Sequence, residues 1–339
     1  MRYRWVILCW GIGMLAACKK NHTATGAFYY WKSSYQLDSV QQEALQQAAG
    51  NRLYLHFFDI GWIDAQHRAV PQAVVQFTQT ASHLNITPVV YITNKVFENI
   101  ADSAIDSLAR NTWQLVYGMC RRESITWKTL QTDCDWTLNT RDKYFTFLRV
   151  LKRYSHKQLE ATIRLHQVKY KERTGVPPVD KGILMYYNMG SLDANIDHPS
   201  SIYNEADAAK YIASVPRYPL QLDVALPVFS WAVHIRNGRV IQLYSKTRRS
   251  RLQHTGDFEQ TGRNVFRATH SFFMGGTYVK ENDIFKLEET GRKIAEKAAH
   301  QLAAVLPMNH QRTIVYYELS TFDPEEYQTK DFIRLSDCF

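Results

Sequence analysis

The sequence of residues 129–166 is TLQTDCDWTLNTRDKYFTFLRVLKRYSHKQLEATIRLH. Its first seven residues are rich in strand-forming side chains, and its last eight have the same character. Between them, apolar residues recur at helical spacing over residues 140–154. A strand, a helix and a second strand in this order form the unit from which parallel sheets are built. We therefore predict strands at 129–135 and 159–166, joined by a helix.

The same alternation continues in both directions along the chain. The predicted strands are 27–31, 52–59, 87–94, 129–135, 159–166, 182–188, 220–226 and 313–318. The predicted helices are 39–48, 71–84, 102–120, 140–154, 205–214 and 282–305. Eight strands that each lead into a crossover close into a single (β/α)8 barrel of the TIM type, an α/β fold. An open doubly wound sheet is the alternative, but no glycine-rich phosphate-binding motif follows the first strand.

The connection between the seventh and eighth strands is much longer than one helix requires. Residues 231–244 predict a hairpin around Asn237-Gly238, a pair that favours a type I′ turn. Residues 255–276 are polar and contain glycine, which predicts a long loop. Loops that follow barrel strands lie on the face that carries active sites, so we expect this insertion to contribute to a site.

The chain begins MRYRWVILCWGIGMLAAC, with two arginines before an apolar run and then Leu15-Ala16-Ala17-Cys18. Charge followed by a short apolar run predicts a secretory signal. The final four residues resemble the lipobox of bacterial lipoproteins, which implies cleavage before Cys18 and lipidation of that residue. We predict a lipoprotein signal peptide at 1–17, a lipidated tether at 18–26 and the barrel at 27–339.

The predicted lipid anchor also bears on location and partners. Lys19 follows Cys18, and by resemblance to bacterial sorting rules this favours the outer membrane, facing the periplasm. Removing residues 1–17 would lower the formal net charge from +9 to +7. The basic run Lys246-Thr247-Arg248-Arg249-Ser250-Arg251 could contact an anionic polymer or lipid headgroups, or it could be a solvated loop. Export argues against nucleic acid as a partner.

Polar and aromatic side chains are concentrated at the ends of the predicted strands, where a barrel carries its site. Rings stack on sugar faces and acids bond sugar hydroxyls, so this composition favours a carbohydrate ligand. The residues expected to bind substrate are Asp59, Trp62, Trp136, Arg164, His166, Tyr187, Asn188 and Trp231.

The segment Thr132-Asp133-Cys134-Asp135-Trp136-Thr137 places two acids on one face of the fourth strand. It resembles the DxxDxDxE strand of chitinase-type glycosidases, whose second and third acids match Asp133 and Asp135. Leu130 stands at the first acid of that pattern, and Thr137 stands where the proton-donating glutamate belongs. Chitinase chemistry is therefore not carried over to this chain.

A wider resemblance covers most of the chain after the tether. The runs FYYWKSSY, LHFFDIGW, PVVYITN, DCDWT, ATIRLHQVKY, MYYNMG and LPVFSW are similar to those of bacterial lipoproteins with a glycosidase-like barrel. That resemblance implies the fold and the export but no particular activity.

Two functions remain open from the sequence. A glycoside hydrolase acting on a poly- or oligosaccharide needs two carboxylates around the scissile bond, and we predict Asp135, tuned by Asp133, with Glu318 as the second acid. Asp59 is the reserve for that role. A carbohydrate-binding protein that has lost catalysis is the alternative. Arg164 could pair with Asp133 or Asp135, and a buried ion pair between Asp133 and Arg164 that only orders the barrel mouth is the structural alternative to catalysis.

No cofactor or metal is predicted, because no cysteine and histidine spacing suggests a zinc site. A metal ion held by Asp133, Asp135 and His166 is a lesser alternative. The sequence does not decide whether Cys120, Cys134 or Cys338 form a disulfide.

Overall fold

The computed structural model describes residues 24–307 and 311–339. The predicted signal peptide, Cys18 and most of the tether lie outside the described residues. In chain order the strands are β1 (Ala24–Tyr30), β2 (Ser34–Tyr35), β3 (Arg52–Ile63), β4 (Arg68–Gln72), β5 (Gln76–Phe77), β6 (Asn85–Ile92), β7 (Thr129–Asp133), β8 (Gln158–Arg164), β9 (Lys181–Met185), β10 (Leu222–Pro227), β11 (Ser230–Arg236), β12 (Arg239–Ser245), β13 (Phe258–Gln260), β14 (Val265–Ala268), β15 (Phe272–Met274), β16 (Thr277–Val279), β17 (Ile284–Glu289) and β18 (Arg312–Tyr317).

The α-helices of the described residues are α1 (Ser39–Ala49), α2 (Asn94–Asn99), α3 (Ile105–Arg122), α4 (Arg141–Ser155), α5 (Leu165–Lys169), α6 (Lys171–Thr174), α7 (Glu205–Ile212), α8 (Arg249–His254), α9 (Arg292–Ala303) and α10 (Thr329–Asp337). Local sequence sets several of their ends. Asp38 and Gln41 form a capping box at the start of α1, and Gly50 ends that helix in the left-handed conformation.

The barrel closes as the sequence predicted. Within the described residues, parallel pairing runs β1-β3-β6-β7-β8-β9-β10-β18, and β18 pairs back to β1, with Phe28 opposite Tyr316. All eight predicted strands are therefore confirmed as barrel strands, with small changes at their ends. β1 begins at Ala24, so three residues assigned to the tether belong to the barrel.

Two predicted helices are wrong in whole or in part. Residues 71–84 form no helix: β4, which ends with residues 71 and 72, pairs antiparallel with the extension of β3 to Ile63, and β5 pairs with β2. Backbone pairing with β3 uses the hydrogen-bonding groups that a helix would need. The predicted helix at 282–305 begins only at Arg292, because β17 pairs on both sides, with β11 and with β14.

The insertion between β10 and β18 is a small antiparallel sheet. Its order in the described residues is β12-β11-β17-β14-β13, and the predicted hairpin at Asn237-Gly238 is confirmed as β11 and β12. The segment predicted as a loop, 255–276, instead contains β13, β14 and β15. The sheet is tied to the barrel through Glu288, which accepts hydrogen bonds from the Trp231 indole at 2.9 Å and from the Ser201 backbone at 3.0 Å.

The barrel interior contains a buried polar layer. Tyr29 donates to Gln131 at 2.7 Å, and Lys181 lies 2.8 Å from the carboxylate of Asp223. Glu160 is buried in the same interior. Burial, and to a smaller extent the Asp223 charge, raise the pKa of Glu160 to about 7, with Lys181 partly opposing both.

Candidate functional site

Three adjoining cavities lie at the carboxyl ends of the barrel strands. Their volumes are about 330, 190 and 260 Å³. Asn188 lines all three, and it has a left-handed backbone with φ of 52°. Tyr187 lines the first two, whereas Trp31 and Tyr317 line the last two. Because their linings overlap, we treat the cavities as one continuous groove, called here the mouth cleft.

The first cavity is lined by Asp135, Arg164 and His166, among others. Arg164 Nε donates to Asp135 Oδ1 at 2.5 Å, and its Nη2 donates to Oδ2 at 3.1 Å. The Asp135 carboxylate is half exposed to solvent. The pair that the sequence left open for Arg164 is therefore formed mainly with Asp135. The His166 side chain is solvent-exposed beside this ion pair. Partial burial of its ring lowers its pKa, and the charge of Asp135 partly offsets that effect.

Asp133 lies in the middle cavity and is almost fully buried. Its Oδ1 accepts a hydrogen bond from the Thr162 hydroxyl at 2.6 Å, and Arg164 Nη2 lies 4.0 Å away. Burial raises the pKa of Asp133, and the nearby charge of Arg164 only partly opposes that shift. The two aspartates therefore have different environments around one guanidinium.

Aromatic rings form much of the cleft wall. Tyr187 stacks on Tyr317 with ring centroids 5.3 Å apart, and Phe229 packs edge-on against both. Trp231 lies 5.3 Å from Phe229, and Trp31 lies 5.8 Å from Tyr317. These rings come from barrel strand ends and from the start of the insertion.

One hydroxyl in this wall is unsatisfied. The Tyr187 side chain is 3% exposed, lines the cleft, and its hydroxyl has no hydrogen-bond partner among the described residues. Burial raises the pKa of Tyr187 well above its ordinary value, so the group stays a hydroxyl. Buried hydroxyls of this kind are commonly satisfied by ordered water, and the Tyr187 side chain itself forms part of the cleft wall.

The last cavity contains Glu318 and Lys246. Glu318 is buried; its carboxylate accepts from the Trp31 backbone N–H at 2.9 Å and from the Ser320 hydroxyl at 2.8 Å. Lys246 Nζ lies 4.0 Å from the same carboxylate. The structure thus places Asp135 and Glu318 in different cavities of the mouth cleft rather than around one.

Three residues predicted to bind substrate lie elsewhere. Trp136 is 2% exposed; it stacks on Tyr144, donates its indole N–H to the Thr174 carbonyl at 2.9 Å and lines none of the three cavities. Asp59 lies 2.7 Å from His56 and lines none of the three cavities. Trp62 is half-buried on the extension of β3, opposite Ala69, also outside them.

Several residues that line the cleft are not among those predicted to bind substrate. These are Trp31, Tyr91, Met189, Tyr211, Phe229, Lys246 and Tyr317. Tyr317 immediately precedes Glu318 at the end of the last barrel strand, and Phe229 alternates with Trp231, so strand-end position could have indicated both. Nothing local distinguishes Tyr211 from any other helical tyrosine.

Within the part of the chain that the structure describes, no group of three or more histidine, cysteine, aspartate or glutamate side chains is arranged to hold a metal ion. The lesser alternative of a metal on Asp133, Asp135 and His166 therefore has no support. Cys120 and Cys134 are buried, and no disulfide joins the cysteines of the described residues. No helix in residues 24–307 or 311–339 is long and apolar enough to span a membrane.

No family model matches the sequence. A search of curated proteins likewise finds no match. Solved structures with a similar fold include a spore cortex-lytic enzyme, a chitinase-like agglutinin and a chitinase. The (β/α)8 TIM-type fold predicted from the sequence is thereby confirmed.

Three of these structures show the degree of similarity to this chain. The spore cortex-lytic enzyme SleL of Bacillus cereus has a TM-score of 0.55 at 13% identity, over 93% of this chain and 74% of that one. The chitinase-like agglutinin of Robinia pseudoacacia has a TM-score of 0.53 at 11% identity, over 93% and 99%. The family 18 chitinase ChiB of Flavobacterium johnsoniae has a TM-score of 0.52 at 13% identity, over 93% and 94%. At such identities the likeness establishes the fold and leaves the activity open.

Proposed function

We propose that this protein binds an oligosaccharide in the mouth cleft without hydrolysing it. The observation that carries the proposal is the combination, in one groove, of a wall of aromatic rings and polar side chains. A sugar fits both features, since its apolar face stacks on a ring while its hydroxyls bond to polar atoms. Asn188, Arg164 and Asp135 supply further polar atoms in the same groove. The fold it shares with a chitinase-like agglutinin is compatible with binding alone.

The carboxylates argue against hydrolysis. A glycosidase needs an acid free to protonate the leaving oxygen, with a second carboxylate close by. Both oxygens of Asp135 are held by Arg164, and Glu318 accepts hydrogen bonds from Trp31 and Ser320. At the position that matches the chitinase proton donor, the Thr137 hydroxyl lies 3.3 Å from that of Thr140, and a hydroxyl cannot replace a carboxylic acid.

Hydrolysis remains the second candidate because of Asp133. Burial raises its pKa in the direction that a general acid requires, and it lines the centre of the cleft. In that case Asp133 would protonate the leaving group and Asp135 would act as the second carboxylate.

The two candidates are separated by one experiment on the full-length chain in detergent. Binding and hydrolysis of an N-acetylglucosamine hexamer and of a glycan array are measured for the wild type, Trp231→Ala and Asp133→Asn. A matched control is Trp113→Ala, which removes an indole from α3, away from the cleft. Saturable binding that Trp231→Ala weakens about tenfold, with no turnover, supports the proposal.

Other results would contradict it. Turnover that Asp133→Asn abolishes would make the chain a glycosidase. No binding on the array, or equal loss in Trp113→Ala, would remove the mouth cleft as a carbohydrate site.

We also propose that Cys18 carries a lipid that anchors the protein in the outer membrane, facing the periplasm. The support is the order of charge, apolar run and lipobox-like residues at 2–18. β1 begins at Ala24, which leaves a short polar tether between the acylated residue and the barrel.

A further inference from the structure

A fourth cavity adjoins the mouth cleft where the insertion meets the barrel. Its volume is about 470 Å³, and Phe229, Ser230 and Thr321 line both it and the last cavity of the cleft. It is called here the basic trough, and its cationic lining is Arg248, Arg249, Arg263, Arg292 and Lys293. A ligand chain that leaves the cleft beside Trp231 would therefore meet this trough next.

The basic run singled out in the sequence connects the two. Lys246 lines the end of the mouth cleft, while Arg248 and Arg249 line the trough. The run is therefore not a remote solvated loop, because its residues line the end of the mouth cleft and the adjoining trough.

The trough also contains four carboxylates, and most of them are already engaged. Glu289 is paired with Arg249, and Glu326 accepts the backbone N–H of Arg292 at 2.8 Å. Asp323 lies 3.7 Å from Arg248 and accepts the backbone N–H of Glu325 at 3.1 Å. The fourth carboxylate belongs to Glu325, which is exposed.

Two cations in the trough are uncommitted. The side chains of Arg263 and Lys293 are exposed and have no ion pair with any described residue. The Arg248 side chain is 43% exposed; its Nη2 donates to the Phe322 carbonyl at 3.3 Å, and its Nε lies 3.7 Å from Asp323, beyond a hydrogen bond. Donors left without acceptors beside a cavity favour an anionic ligand group.

We infer that the basic trough binds the acidic substituents of the same glycan chain that occupies the mouth cleft. This inference rests on the proposed function and narrows it to an anionic oligosaccharide, bearing carboxylate, sulfate or phosphate groups on the units that reach past Ser230. The rings hold the sugar backbone, and the trough selects for charge.

The test compares two probes with one backbone: the N-acetylglucosamine hexamer and its 6-O-carboxymethylated form. Affinities are measured by titration calorimetry on the full-length chain in detergent, at low and at high salt. The trough variant is Arg263→Gln/Lys293→Gln. Its matched control is Arg121→Gln/Lys128→Gln, which removes the same charges from exposed positions at the C-terminal end of α3 and just before β7.

The wild type should bind the carboxymethylated hexamer about tenfold more tightly than the neutral one, and salt should shrink that ratio because it screens exposed charges. The trough variant should lower the ratio about fivefold, as expected for two exposed ion pairs, and the control should leave it unchanged. Equal affinity for both hexamers, an unchanged ratio in the trough variant, or an equal drop in the control would overturn the inference while the proposed function stands. If neither hexamer binds, the proposed function fails and the inference fails with it.

Discussion

Arg164 and Asp135 form a two-point ion pair at the mouth of the barrel, with Nε to Oδ1 at 2.5 Å and Nη2 to Oδ2 at 3.1 Å. The same guanidinium lies 4.0 Å from the buried Asp133. The Arg164 guanidinium thus donates hydrogen bonds to the exposed carboxylate of Asp135 and stabilises the buried carboxylate of Asp133 by its charge. In this arrangement Asp133 and Asp135 are acceptors that order the cleft. This is the main structural reason for favouring binding over hydrolysis.

Removing that guanidinium should destabilise the fold. Arg164→Met leaves Asp133 buried without a neighbouring cation, and we expect the free energy of unfolding at pH 7 to fall by about 3 kcal/mol. Urea denaturation followed by tryptophan fluorescence measures it. Adding Asp133→Asn should recover most of the loss. The control Arg267→Met breaks an exposed pair with Glu259 and should cost less than about 1 kcal/mol. A loss in Arg164→Met no larger than in that control would contradict the assigned role.

Trp136 should matter for stability and not for ligand binding. Trp136→Ala removes a buried ring that stacks on Tyr144, with centroids 5.4 Å apart, and should lower the free energy of unfolding by about 3–5 kcal/mol. The affinity of the folded variant for the N-acetylglucosamine hexamer should stay at the wild-type value, in contrast to Trp231→Ala. A large loss of affinity in well-folded Trp136→Ala would place this ring in the site after all.

Glu160 should make stability depend on pH. Its folded pKa of about 7 lies above the ordinary value of 4.5, so the folded chain keeps a proton that the unfolded chain releases. Stability from this group is fully present below about pH 4.5 and is lost as the pH rises through 7. Glu160→Gln should match the wild type at pH 4.5 and exceed it by up to about 3 kcal/mol at pH 8.

That difference is measured by urea denaturation of both proteins between pH 4.5 and pH 8. Using the difference between them cancels the titration of other groups. Parallel stability curves across this range would show that Glu160 does not keep its proton in the folded barrel.

Lipidation is tested at Cys18. In cells grown with labelled fatty acid, Cys18→Ser should abolish acyl labelling and leave a precursor of unchanged length, because the acceptor thiol is gone. Cys9→Ser, inside the apolar run, is the matched control and should keep the label. Label that persists in Cys18→Ser would end the proposal of a lipid anchor.

The sequence predicted the barrel well because its signals are local. Each strand is a short apolar or alternating run, so periodicity and turn residues located all eight before any contact was known. The hairpin at Asn237-Gly238 was predictable for the same reason, since that pair adopts its turn without help from the rest of the chain. Asp133, Asp135, Arg164, Tyr187 and Asn188 were found because they stand at strand ends.

Tertiary structure decided what local pattern does not contain. Residues 71–84 carry a helical pattern, yet the exposed edge of the lengthened β3 pairs with β4 instead. Trp136 and Trp231 both follow strands, but one turns into the packing around α4 and the other into the cleft. The joining of the basic run to the mouth cleft depends on how the inserted sheet packs on the barrel. Spacing along the chain predicts an element from its own residues, whereas the pairing of edge strands and the side chains that meet at a site depend on contacts between residues far apart in sequence.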